Sequence, residues 1–379
     1  MRIFWVKYLY KPLVFFFFLS LFLGIFLIPK IISILQVPLQ AVPYSQVSLS
    51  VPLDFEIFFT NTASSPKYID TLVSAIDLSV TSIDMAMYSF NSKELVEALK
   101  NASQRGVDIT LVINHDHVKR ARELFGESYF PIKILPEKKS NLPKHTGSMH
   151  HKFVLIDGET LIASSLNATD IQNDNDIGYV LVTKTPEIVQ EYIMEFSRLE
   201  SGLWGLAKID DINYHPFSKI VYAGDDYFEI WWSPGLESNS IRGRILSAIE
   251  SAETTLQIIC WQITDQQIMD ALLSKAREGV EIHVIMDQHP FLSDEMSSFM
   301  KNPLVHVDIN EDTVDGSLKS FIHEHVLIVD GTSVLFGTNN WSNRGALSND
   351  ESIFYTNNKY LVNMYLNHFS SLLETILSR

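Results

Sequence analysis

The chain holds one cysteine, Cys260, among 379 residues. A single thiol excludes an intramolecular disulfide framework and any zinc site built on several cysteines, while leaving the compartment open. Glycine and proline are also sparse, at 16 and 14, which excludes a fibrous protein. Basic side chains are the third shortage: 29 Lys and Arg face 45 Asp and Glu, for a net charge of −16. That balance argues mildly against non-specific nucleic-acid binding, which calls for a basic face, although a local basic groove is compatible with it. What remains is 46% hydrophobic and 20% charged, too apolar for a disordered protein. The length suffices for two units of roughly 150 to 200 residues, each with its own core.

Long apolar runs are absent except at the amino terminus. Residues 12–29 are uncharged and dominated by Phe, Leu and Ile, and the apolar character continues to about residue 39. A helix of about 20 apolar residues crosses the hydrocarbon core. Arg2, Lys7 and Lys11 precede the run and only Lys30 follows nearby. The positive-inside rule then places the amino end in the cytoplasm and everything after residue 40 on the exoplasmic or periplasmic side of a single-pass anchor. A cleaved signal peptide shares the basic start and apolar middle, and would leave the remainder secreted. Residues 33–45 hold no clear small-x-small cleavage pattern.

The rest of the chain is a duplication. Phe55-Glu56-Ile57-Phe58-Phe59 recurs as Phe228-Glu229-Ile230-Trp231-Trp232, and Ser74-Ala75-Ile76 as Ser247-Ala248-Ile249. His150 answers to His323, Asp157-Gly158 to Asp330-Gly331 and Asn167 to Asn340, all at one constant offset. The organisation read from this is a stub and anchor over 1–40, a first half over 41–201, a connector over 202–223 and a second half over 224–379.

Within each half, strands alternate with helices. Residues 83–88 and 256–261 are apolar runs of strand length. Residues 93–105 and 266–278 repeat apolar positions at helical spacing, ahead of Gly106 and Gly279 where a helix C-cap belongs. Residues 107–114, 280–287, 152–156 and 325–329 read as further strands, the last two ending in Asp-Gly turns. The expected architecture is α/β: two duplicated α-β-α units related by a pseudo-twofold axis, each with a largely parallel sheet covered on both faces. The aromatic pairs Phe58-Phe59 and Trp231-Trp232 read as core, with lipid contact as the alternative.

His150-His151-Lys152-Phe153-Val154-Leu155-Ile156-Asp157-Gly158 reads H-x-K-x4-D-G, followed by Ser165 and Asn167. The second half offers His323-Glu324-His325-Val326-Leu327-Ile328-Val329-Asp330-Gly331, followed by Thr338 and Asn340. These strings resemble the HKD motif of the phospholipase D superfamily with its trailing G-S-x-N element. The resemblance covers the chain from about residue 54 onward.

The chemistry suits the residue types. Alternate side chains of a strand share one face, so His150 and Lys152 point the same way. A phosphodiester repels hydroxide, so its hydrolysis needs cationic groups on the phosphoryl oxygens and a nucleophile in line. One histidine can attack phosphorus while another donates a proton to the leaving oxygen and later takes one from water. The resemblance implies His150 as nucleophile and His323 as general acid/base, with no metal and no cofactor. It implies phosphoryl contacts from Lys152, Ser165, Asn167, Thr338 and Asn340. Asp157 and Asp330 read as structural. The family's histidine-orienting acid is matched by Glu351, with Asp176 as a weaker counterpart.

The second motif departs from the family pattern. His325 stands where lysine is expected and Thr338 where serine is. His325 either still donates to phosphate, with an optimum at mildly acidic pH, or marks a site that binds without turnover. His323, His325 and Asp330 also admit a metal reading. His151 reads as a core residue on the opposite strand face, and His115, His117, His283 and His289 as surface or packing residues.

The resemblance leaves the substrate open. Lys138, Lys139, Lys144 and His145 precede the first motif, whereas Glu311, Asp312 and Asp315 occupy the matching stretch of the second half. A groove for a long polyanion would be basic on both lips, and a membrane anchor favours a lipid head group. The leading expectation is phospholipid hydrolysis or transfer of the phosphatidyl group at a membrane. A metal-independent nuclease of the same superfamily and an inactive membrane-tethered binding module are the alternatives, and the oligomeric state is open.

Overall fold

The computed structural model describes residues 45–49, 53–60, 67–126, 131–137, 147–222, 226–287, 294–311, 313–314, 317–318 and 320–378. The apolar amino-terminal run, the basic stretch Lys138, Lys139, Lys144 and His145, the acids Asp312 and Asp315, and His289 lie outside the described residues. Among those described, no helix is long and apolar enough to cross a membrane.

Several helices start where their sequence offers a side-chain cap. Ser92 accepts the Leu95 N–H, Asp265 those of Gln267 and Ile268, and Thr169 that of Gln172, satisfying amide groups that have no partner inside the helix. Gly106 (φ 94°) and Gly279 (φ 103°) sit in the left-handed region at the matching helix ends. There glycine escapes the clash a Cβ would bring.

After β1 (Ser45–Leu49), the first half runs β2 (Glu56–Phe59), α1 (Tyr68–Leu78), β3 (Ser82–Met87), α2 (Lys93–Gln104), β4 (Asp108–Ile113), α3 (Val118–Phe125) and β5 (Lys133–Leu135). It continues with β6 (Lys152–Ile156), β7 (Thr160–Ser164), α4 (Asp170–Asn175), β8 (Tyr179–Thr183) and α5 (Pro186–Glu200). A 3-10 turn (Gly205–Asp210) and β9 (Phe217–Tyr222) lead to β10 (Asp226–Trp232). The second half then repeats the order: α6 (Ile241–Glu250), β11 (Thr255–Cys260), α7 (Gln266–Glu278), β12 (Glu281–Asp287), α8 (Asp294–Met300) and β13 (Val305–Asn310). After the short pair β14 (Thr313–Val314) and β15 (Ser317–Leu318) come β16 (His325–Val329), β17 (Ser333–Gly337), α9 (Asn343–Leu347), β18 (Ser352–Thr356) and α10 (Lys359–Leu377).

The first sheet has the order β2-β8-β7-β6-β3-β4-β5, and the second repeats it as β10-β18-β17-β16-β11-β12-β13. Both are mixed, which corrects the largely parallel sheet expected from sequence. Within the repeated seven strands, β3-β4-β5 and β11-β12-β13 are parallel, whereas β6-β7-β8 and β16-β17-β18 are antiparallel. The reason is local. Asp157 and Gly158 both take positive φ, as do Asp330 and Gly331, the geometry of tight hairpin turns.

The connector is also more than a link. Its β9 pairs with β10, and β1 adds beyond β9, so the second sheet gains two edge strands, one from ahead of the first half. Ser45–Arg379 forms one compact unit. Helices α1, α2 and α3 cover the outer face of the first sheet, and α6, α7 and α8 that of the second. The inner faces share a central core with α5 and α10, around Phe153, Tyr192, Trp232, Phe336, Phe354 and Tyr365. Phe59, Trp231 and Trp232 are buried there or against the outer helices, in keeping with packing rather than lipid contact.

Candidate active site

The two halves meet along a symmetric seam. Met149 bridges to Asp350 and Ile322 to Ile177, and these two pairs exchange under the duplication. The His150 N–H donates to the Asp350 carbonyl (2.9 Å) and the His323 N–H to the Ile177 carbonyl (2.8 Å). Each motif histidine is therefore held by backbone of the opposite half. Gly147 makes this approach possible, since a Cβ there would lie 1.9 Å from the Ser348 carbonyl oxygen.

His150 Nδ1 lies 2.8 Å from Glu351 Oε2. A carboxylate can only accept, so Nδ1 carries the proton and Nε2 keeps its lone pair. Glu351 is fully buried, and its oxygens also accept from Thr338 Oγ1 (2.8 Å) and Asn349 Nδ2 (3.0 Å). Burial opposes its ionisation, but His150, Lys152 and the Asn349 bond outweigh that and hold its carboxyl below the usual range. Burial lowers the His150 pKa; Glu351 pulls it back up, while Lys152 and His323 push it down. The net result is an imidazole neutral at neutral pH.

Lys152 Nζ stands 3.3 Å from His150 Nε2 and donates to the His150 carbonyl at 2.8 Å. Burial pushes its pKa down to about 8 against the pull of Glu351. The His150 ring lies edge-on to Tyr88, which also contacts His117.

His323 is the more open of the pair, with its side chain 31% exposed against 15% for His150. Its Nε2 lies 3.2 Å from Asp176 Oδ2 and 3.1 Å from the Gln172 carboxamide nitrogen. Asp176, itself buried, also accepts the Phe321 N–H. The two acids are not equivalent positions: the duplication sets Gly178 opposite Glu351, and Asp176 two residues earlier. The charge of His323 reaches His150, and the charges of both reach His325, so the three imidazoles form one electrostatic cluster.

His325 departs from the expectation of a charged phosphate donor with a mildly acidic optimum. Burial first, then the charges of His150, His323 and Lys152, keep its pKa well below the ordinary value; an Asn340 hydrogen bond only partly offsets them. It is a neutral ring, and its Nδ1 has no protein partner among the described residues. The metal reading of His323, His325 and Asp330 does not hold geometrically. Asp330 sits at the far end of β16 and accepts the N–H groups of Glu253, Thr254 and Thr255. Asp157 does the same for Val80, Thr81 and Ser82.

The hydroxyl and amide residues divide. Thr338 spends its proton on Glu351, and Ser165 Oγ accepts the Tyr179 N–H inside the sheet; both work through strand β8 or β18 rather than facing the cleft. Asn167 Oδ1 accepts the Ser89 N–H. Asn340 lines a cleft of about 190 Å³ that opens beside His150. Tyr88, Ser148, Trp261, Trp341, Arg344 and Asn349 are among the residues that line it. A larger cleft of about 590 Å³ surrounds Asp330 and Lys359 at the opposite end of β16.

Sequence reasoning did not single out Gln172, Tyr88 or Arg344. It also missed a buried bolt beneath the site. Lys208, from the 3-10 turn, lies between Glu195 of α5 and Asp350 (2.7 Å), all fully buried. His151 Nε2 contacts Glu195 at 2.9 Å, and in the other half Glu324 meets His368 at 3.0 Å. The duplication maps His151 onto Glu324 and Glu195 onto His368, so the pair recurs with its partners exchanged. The constant offset contained that signal.

Residues 72–200 and 245–373 each match the family described as cardiolipin synthase, PLD-like domain. The chain belongs to the phospholipase D superfamily. Among curated relatives, the mitochondrial cardiolipin hydrolase of Danio rerio is 32% identical over 120 residues, covering 31% of this chain and 51% of that protein. The human mitochondrial cardiolipin hydrolase is 30% identical over 131 residues, covering 34% and 49%. The chain thus spans about half the length of these superfamily relatives. A phosphatidylserine synthase from Haemophilus influenzae superposes with a TM-score of 0.63 at 10% identity, over 86% of this chain and 88% of that one. At that identity the likeness is one of fold, and it extends across both phospholipase D-like halves.

Proposed function

We propose that this chain is a phosphodiesterase that hydrolyses or transfers the phosphatidyl group of phospholipids through a phosphohistidine on His150. The observation that carries this reading is the 2.8 Å pairing of His150 Nδ1 with a buried, ionised Glu351 from the other half. It fixes a neutral nucleophile with its lone pair at Nε2, beside a lysine cation.

His150 Nε2 attacks phosphorus, and the bond to the leaving alcohol oxygen breaks as His323 gives that oxygen a proton. Water, or an acceptor alcohol, then attacks the phosphohistidine; His323 takes the proton and the P–N bond breaks. Lys152, Asn167 and Asn340 neutralise or bond the phosphoryl oxygens. Ser165 and Thr338 support strand positions, and Thr338 orients Glu351. That curated relatives are named for cardiolipin hydrolysis supports a lipid substrate, and residues 1–40 serve as a membrane anchor with the catalytic halves on the exoplasmic or periplasmic side.

The test offers purified protein phosphatidyl lipids, cardiolipin included, beside single-stranded DNA, with His150→Ala as control. Lipid turnover, with an acid-labile phosphoryl adduct mapped to His150, is the expected outcome. Turnover of DNA alone would make the chain a nuclease, and an adduct mapped to His323 would exchange the two roles. No turnover of either substrate would leave a binding module.

A further inference from the structure

The edge of the second sheet brings three donor atoms together, away from the phosphodiester site. Strands β12 and β13 run parallel, with His283 paired directly opposite His306. Glu281 lies two residues before His283, so strand alternation places all three side chains on one face. Glu281 Oε1 stands 3.2 Å from His283 Nε2 and 3.4 Å from His306 Nε2. The three ligand atoms all lie within 4.8 Å of one another. For a tetrahedral ion bonded to nitrogen and oxygen at about 2.0–2.1 Å, neighbouring ligands are about 3.3–3.4 Å apart. Both nitrogen–oxygen distances meet that spacing. The imidazole rings lie nearly parallel, 21° apart with centroids at 4.8 Å, so modest rotation about χ2 turns both lone pairs toward one point.

We propose that Glu281, His283 and His306 form a divalent-cation site that takes zinc. Two imidazoles and one carboxylate suit Zn²⁺ and its borderline neighbours; Mg²⁺ and Ca²⁺ call for oxygen donors. The side chains are 47%, 31% and 48% exposed in that order, so an ion enters from solvent and water completes its shell. Its effect is mechanical. Among the described residues β13 is the outermost strand of its sheet and pairs with β12 alone, and an ion spanning both strands pins it.

The other end of β13 matters to the active site. Asn310 Nδ2 donates to Asp287 Oδ1 and to the Ser320 carbonyl, and Asp287 Oδ2 accepts the Ile322 N–H next to His323. Asn310 lies four positions after His306, about 13 Å along a strand. The ion is thus remote from the phosphoryl group and steadies the strand that supports His323.

The experiment uses tag-free full-length protein in detergent, stripped with chelator and dialysed against zinc chloride, with bound metal counted and Tm followed in parallel. Two variants are compared with wild type: Glu281→Gln, and the double change His283→Gln with His306→Gln. Zinc held by the active-site histidines persists in both variants, so the difference isolates this site. The double variant should bind one zinc fewer per chain and lose the zinc-dependent rise in Tm, with an unchanged metal-free Tm. Glu281→Gln should weaken that zinc at least tenfold. Equal stoichiometry, affinity and zinc-induced Tm shift in all three proteins would overturn the proposal.

Discussion

Taking Lys152 out of water lowers its ammonium pKa to about 8, which brings its charge within the range of an ordinary assay. The proposed chemistry needs that charge on the phosphoryl oxygens, so activity is present below about pH 8 and is lost as pH rises through it. We expect kcat/KM to fall with a one-proton alkaline limb near pH 8. Lys152→Arg, cationic at every accessible pH, should move the limb upward even where it lowers the maximum. A limb that stays near pH 8 in that variant would belong to another group. His325 contributes no acidic limb, because burial first, and its cationic neighbours after it, keep its pKa well below the ordinary value. This is where the sequence ran short at the scale of single residues. The motif strings and Glu351 could be read directly, since they depend on residue type and spacing. The neutrality of His325 could not, because it depends on which charges the other half delivers across the seam.

At the scale of elements, the two Asp-Gly turns account for the hairpins that make the sheets mixed, and each anchors a carboxylate on a neighbouring loop. Asp157 adopts φ 55° and Asp330 φ 50°, and each carboxylate gathers three N–H groups from the loop before β3 or β11. Burial is the largest single influence and works against ionisation, but the amide and threonine bonds together outweigh it and hold both carboxyls below the usual range. A folded-state pKa below the unfolded one means that the stabilisation is full above the unfolded carboxyl pKa and fades as pH falls through the folded value. Asp157→Asn and Asp330→Asn should each cost about 1–2 kcal/mol at neutral pH, measured by urea denaturation. The costs should add in the double variant, because the turns are far apart, and should shrink in acid. Strict additivity with no pH dependence would point to turn geometry rather than charge. The turns themselves were legible from the dipeptides; the direction of the strands they join was missed because an apolar strand run reads alike in parallel and antiparallel sheets.

Across the whole molecule, one buried cation ties together the parts that make the site. Lys208 comes from the connector, Glu195 from the first half and Asp350 from the second, beside the Glu351 that holds His150. Burial alone would discharge the ammonium, but the two carboxylates keep its pKa raised, and Glu195 stays ionised at neutral pH with a pKa of about 2 because Lys208 and His151 outweigh its own burial. Asp350 is raised instead, chiefly by burial and with Glu195 also acting against it, while Lys208 pulls the other way. The ion pair therefore lies mainly between Lys208 and Glu195. Lys208→Met leaves Glu195 charged in the core with His151 and Arg198 as its remaining cationic or hydrogen-bonding partners, a loss of about 3–5 kcal/mol. Adding Glu195→Gln removes the stranded charge and should recover a good part of that loss. Thermal and denaturant melts of the two variants give the comparison. Activity supplies a second axis, since slackening at Asp350 loosens the carbonyl that binds the His150 N–H. If Lys208→Met melted like wild type, the cluster would be a passive consequence of packing, and the seam would owe its alignment to the backbone bridges alone.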